Sequence, residues 1–109
     1  MEFKQLTEKA LAVRRQFANA ETNRYGREWS REELMLGFIK DVGDLAELLQ
    51  AKEGVRKVDD LDVKLAHELS DCLWAIMVLA DKYGVDLETA FVKTMDELSN
   101  HLRSEESST

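Results

Sequence analysis

The chain has 109 residues, with 15 Lys and Arg against 22 Asp and Glu, for a formal net charge of −7. Its composition, 44% apolar and 34% charged, is that of one globular domain and excludes a chain too polar to bury a core. The pI of about 4.8 excludes a protein that grips nucleic acid polymers through their phosphates, which needs a basic face. Single nucleotides stay open as ligands, because a bound divalent cation reverses local charge.

Proline is absent, which permits long uninterrupted helices, and four are predicted. The first covers residues 2–20, with Phe3, Leu6, Ala10, Val13 and Phe17 at helical steps. The polar run from Glu21 to Gly26 ends it. Ser30 and Glu33 match a capping box, each satisfying a free backbone N–H, and open a second helix carrying Leu34, Phe38, Val42, Leu45 and Leu49 on one face. Gly54 is its expected left-handed terminator. Asp59 or Asp60 caps a third, most apolar helix through Leu61, Leu65, Leu69, Cys72, Ile76 and Leu79 to Tyr83-Gly84. Asp86 caps a fourth, residues 87–103, expected to bury Ala90, Phe91, Thr94, Met95 and Leu98, and residues 104–109 read as a flexible tail. The expected fold is all-α, a four-helix bundle in one domain over residues 1–103. Trp74 and Met77 leave a second apolar face on the third helix, which predicts an oligomer.

Cys72 is the only cysteine, so no intrachain disulfide is expected, and a reducing cytoplasm is the simplest setting. The start, Met1-Glu2-Phe3-Lys4, lacks the apolar run of a secretion signal, and no stretch approaches the roughly 18 apolar residues of a membrane span. A soluble cytoplasmic protein without membrane contact is expected.

The informative feature is acidic. At about 100° per residue, Asp41 falls about 20° from Leu34, beside the apolar stripe, with Asp44 one turn further on its flank. Glu68 stands in the same relation to Leu61, and Asp71 follows it. Carboxylates set against a core are costly to desolvate and raise one another's pKa. They are relieved by a bound hard cation such as Mg²⁺ or Mn²⁺, or by salt bridges to Lys40, Lys64, His67 or Lys93. With 22 acidic residues in the chain, chance pairs at this spacing are common, and both readings stand.

Two stretches carry a family resemblance: residues 36–47, Leu-Gly-Phe-Ile-Lys-Asp-Val-Gly-Asp-Leu-Ala-Glu, and residues 67–74, His-Glu-Leu-Ser-Asp-Cys-Leu-Trp. Asp41-x-x-Asp44, 23 intervening residues, then Glu68-x-x-Asp71 resembles the Glu-x-x-Glu, spacer, Glu-x-x-Asp pattern of the MazG-like all-α nucleoside triphosphate pyrophosphohydrolases. Residues 83–88 are similar to that family's turn into its last helix. The resemblance implies a four-helix protomer in a homodimer or homotetramer. It implies Mg²⁺-dependent cleavage (Mn²⁺ as an alternative) of a nucleoside triphosphate between the α and β phosphates, for house-cleaning of the nucleotide pool. Asp41, Asp44, Glu68 and Asp71 would be the metal ligands and catalytic carboxylates, and Lys93 a phosphate contact. The alternatives are phosphoribosyl-ATP pyrophosphohydrolase, which shares the fold and the acidic motifs, and a non-catalytic helical interaction or regulatory protein of the same fold. The chain departs from the pattern where Asp41 and Asp44 replace glutamates, each about 1.5 Å shorter in reach, and where Lys40 replaces an acid. Asn100 and Arg103 also fall later than the family's phosphate-binding residues.

Among the remaining residues, Trp29 reads either as a base-stacking ring or as a hydrophobic staple on the second helix. Trp74 reads as an oligomer contact, Cys72 as a small core hydrophobe, and His67 and His101 as surface residues.

Overall fold

The computed structural model describes residues 1–108 and contains four α-helices and no strand among them. These are α1 (Phe3–Tyr25), α2 (Arg31–Lys52), α3 (Leu61–Lys82) and α4 (Leu87–Ser108). The all-α, four-helix architecture expected from the sequence is present, and among the described residues no helix is long and apolar enough to cross a membrane.

The boundaries follow local chemistry. Ser30 Oγ accepts from the Glu33 N–H at 3.2 Å, and Glu33 Oε1 accepts from the Ser30 N–H at 3.1 Å, so the predicted capping box opens α2. Gly54 closes the α2 end at φ +84°, a conformation that needs no Cβ. Asp60 occupies the cap position of α3 with φ +54° and no side-chain capping bond. Asp86 caps α4 through the Thr89 N–H at 3.2 Å.

Two helices run further than the sequence pattern indicates. α4 continues past Arg103 to Ser108, supported by the His101–Glu105 pair at 3.1 Å and by the Ser107 hydroxyl donating to the Arg103 carbonyl at 3.0 Å. Thr109, the last residue of the expected tail, lies outside the described residues. α1 continues past Ala20 to Tyr25 and stops at Gly26, φ +80°, because Glu21 is a buried helix residue and not a terminator. It forms a fork–fork ion pair with Arg14, at 2.7 and 2.9 Å, and both residues are more than nine-tenths buried. The covered face of α1 is thus rotated by about one residue from the predicted stripe. Ala10, Arg14 and Glu21 are buried, while Leu6, Val13 and Phe17 are exposed.

α2 and α3 form the main body as an antiparallel pair, with Leu34, Leu48, Ala51, Cys72, Ala75, Met77 and Val78 buried. The Lys52–Asp62 ion pair, 2.9 Å, ties the end of α2 to the start of α3. α1 packs on α3, where the Trp74 indole N–H donates to the Ala10 carbonyl at 2.9 Å and its ring meets Phe17 at 5.7 Å. This corrects the reading of Trp74 and Met77 as an uncovered oligomer face: α1 covers it. The uncovered face of α3 carries Leu69, Leu73 and Ile76, and that of α2 carries Met35, Ile39, Val42 and Leu49.

α4 makes little contact with the other helices. Phe91, Met95 and Leu98, expected in the core, are exposed within the chain. The radius of gyration, 17.8 Å, exceeds the roughly 13 Å of a compact chain of this length.

Removing one partner of the Arg14–Glu21 pair leaves a buried charge unpaired, so Arg14→Ala should lower unfolding stability by about 3 kcal/mol in denaturant titration. The double replacement Arg14→Met/Glu21→Met removes both charges and should recover most of that loss. The pairing also carries a pH signature. The Arg14 hydrogen bonds hold the Glu21 pKa below its ordinary 4.5. The pair's contribution is therefore complete above that value and disappears as pH falls through the lowered folded-state value. Acid titration of the double variant should show a shallower stability loss below about pH 4.5 than wild type.

Candidate metal centre

Three of the four predicted carboxylates converge in the seam between α2 and α3. Asp41, Asp44 and Glu68 each present an oxygen within 4.8 Å of the others. Asp41 and Asp44 are one turn apart on α2, and Glu68 faces them from α3. All three are partly buried. Asp71, also partly buried, has an oxygen 3.1 Å from His67 Nε2 and lies outside the converging three. It still acts on them electrostatically.

The field of this cluster is strained. Burial first, then the neighbouring charges of Asp71 and Asp44, push the Asp41 pKa up. Burial, then Asp71, Asp41 and Asp44, push Glu68 up. Directly behind lies the buried Cys72, its thiol raised by desolvation and then by Asp41, Glu68 and Asp71, which keeps it protonated and inert.

Basic groups touch only the flanks. Lys40 Nζ donates to Asp44 at 3.0 Å, and His67 Nε2 lies 3.1 Å from Asp71. No such bond reaches Asp41 or Glu68 among the described residues, and Glu68 Oε2 is buried without a hydrogen-bond partner. An unpaired carboxylate oxygen among converging carboxylates, with an all-oxygen donor set, fits a hard divalent cation.

Beside the cluster runs an open groove of about 900 Å³ between α1 and the α2–α3 pair. Asp41 and Lys40 stand on its wall, together with the rings of Phe17, Tyr25, Trp29, Phe38 and Trp74 and the Arg14–Glu21 pair. Trp29 is 41% exposed, and its backbone N–H donates to Glu21 Oε1 at 2.8 Å. Trp74 therefore serves both the α1 contact and the groove wall.

Lys93, the expected phosphate contact, is not brought to the acids. It lies on α4, exposed, 3.9 Å from Glu97, and is absent from the groove wall. His67 and His101 are exposed as expected. Sequence reasoning missed Arg14 and Glu21. They are seven residues apart and so on one helical face, the same relation that exposed Asp41, but ending α1 at Ala20 hid it.

No protein-family model, curated protein or solved structure matches this chain.

The raised pKa values mean that ionising Asp41 costs more in the folded than in the unfolded chain, so at neutral pH its charge subtracts stability. Asp41→Asn should therefore stabilise the metal-free protein at pH 7 by about 0.5 kcal/mol, a like-charge contact relieved. A lower melting temperature for this variant would instead identify Asp41 as a salt-bridge partner.

Proposed function

We propose that this chain is a divalent-cation-dependent nucleoside triphosphate pyrophosphohydrolase, cleaving between the α and β phosphates to release a monophosphate and pyrophosphate. The reading rests chiefly on Glu68 Oε2, buried and unpartnered beside Asp41 and Asp44, with an aromatic groove starting at Asp41. The motif resemblance, Asp41-x-x-Asp44 then Glu68-x-x-Asp71, selects this activity among those a cation site serves.

Asp41, Asp44 and Glu68, with Asp71 beside them, are the residues to hold the cation. Bound there, Mg²⁺ or Mn²⁺ supplies charge neutralisation of the phosphates and Lewis acidity at phosphorus. In the hydrolysis a water oxygen bonds to the α-phosphorus, the P–O bond to the β-phosphate breaks, and pyrophosphate leaves with the bond's electron pair. A cluster carboxylate with a raised pKa takes the water's proton. Lys40, on the groove wall, adds a positive charge on the phosphate side.

The same reading includes a homo-oligomer. Phe91, Met95, Leu98 and Leu102 form one exposed stripe along α4, and exposed stripes on α2 and α3 match its spacing. A second reading, a non-catalytic helical protein, draws on the Lys40–Asp44 ion pair and the His67–Asp71 contact, which already give the two flanking acids local partners.

Incubation with Mg²⁺ or Mn²⁺ and a panel of canonical and modified nucleoside triphosphates should release pyrophosphate. Glu68→Gln and Asp71→Asn should each lower turnover by at least about 100-fold, as loss of a general base or cation ligand does, with the helical circular dichroism unchanged. No release from any nucleotide favours the non-catalytic reading. Analytical ultracentrifugation should give a dimer or tetramer for wild type and a smaller species for Leu98→Glu.

A further inference from the structure

The Arg14–Glu21 pair does more than hold α1 together. As packing it is an expensive choice, since two buried charges stabilise no more than apolar side chains of similar volume. What the charges provide is direction. Glu21 Oε1 accepts both Arg14 Nη2 at 2.7 Å and the Trp29 backbone N–H at 2.8 Å, while Oε2 accepts Arg14 Nη1 at 2.9 Å. Arg14 thus fixes the Glu21 carboxylate, and the carboxylate fixes the Trp29 backbone from which the ring projects.

Trp29 lies in the link between α1 and α2, where an unanchored backbone has many conformations. The link is braced at a second point, where Arg27 donates to Glu33 at 2.6 Å and holds that carboxyl down at about 2. Trp29 is thereby held on the wall of the same groove as Asp41.

We propose that Glu21, oriented by Arg14, is a positioning residue that sets the Trp29 ring as a stacking wall for the base of a nucleotide whose phosphates lie toward Asp41. The proposal rests on the nucleotide reading above. The occupant follows from continuity: the groove has flat aromatic walls, and its Lys40–Asp41 part belongs to the acidic cluster. A planar base with a phosphate chain spans both.

Two double variants isolate the hydrogen bond to Trp29. Arg14→Met/Glu21→Gln removes the ion pair but keeps an acceptor oxygen for the Trp29 N–H, whereas Arg14→Met/Glu21→Met removes both. Neither leaves a buried charge. The four canonical deoxynucleoside monophosphates, titrated with Mg²⁺ present and followed by tryptophan fluorescence, report binding without turnover. The Met/Met variant should bind the best of them about tenfold more weakly than wild type, the scale of one lost base–aromatic stack. The Met/Gln variant, which keeps the acceptor without Arg14 to orient it, should fall between the two. With triphosphate, the Met/Met variant should show the loss in KM and keep kcat. Its metal-dependent rise in melting temperature should match wild type, since the acids are untouched.

Equal binding by both variants overturns the positioning role, as does a loss confined to kcat. Wild type that binds a monophosphate but hydrolyses no triphosphate removes the enzymatic reading and leaves this one standing if the two variants differ as stated. Wild type that does neither overturns both.

Discussion

Carboxylates set into the seam between two packed helices repel one another, and the rest of this molecule is arranged around that repulsion. Asp41 and Glu68 face each other where α2 and α3 meet, with Asp44 and Asp71 on the flanks. The flanking acids have Lys40 and His67 as local partners. The central ones do not, and Glu68 keeps an oxygen buried without a hydrogen bond. A metal-free chain pays for this arrangement in stability. Like-charge strain of this kind is what the proposed cation would relieve.

The groove and the cluster are coupled through geometry. α2 carries Asp41 toward α3 and also presents Lys40 and Phe38 to the space beneath α1. α1 is held over that space by Trp74 and closes with the Arg14–Glu21 pair, which reaches across to Trp29. One acid of the cluster, Asp41, therefore lines the same groove as the flat rings. α4 stands apart, its apolar stripe open, and contributes nothing to either within the chain.

Much of this is legible in the residues. Helix starts at Ser30 and Asp86 and stops at Gly54 and Gly84 follow from capping chemistry, and the wheel places Asp41 and Glu68 against the core. Other features are not legible, for physical reasons. From Cys72 to Ala80 α3 is apolar on all sides, so periodicity alone does not choose between the Leu69–Ile76 face and the Trp74–Met77 face. The choice is made by α1, through the Trp74–Ala10 bond. Glu21 reads as a polar stop because its compensation lies seven residues back, at Arg14. The wheel shows which α4 residues share a stripe, but not that the stripe lacks an intrachain partner. That Asp71 stays outside the three converging acids, with an oxygen 3.1 Å from His67 Nε2, is likewise beyond the reach of spacing.

The most direct test of the central claim is Mn²⁺ binding, followed by the loss of the free-ion electron paramagnetic resonance signal as protein is added. The account predicts saturable binding to wild type, displaced by excess Mg²⁺ and abolished by Glu68→Gln in a protein that remains helical. Retention of wild-type binding by Glu68→Gln, or no binding by wild type, would contradict it.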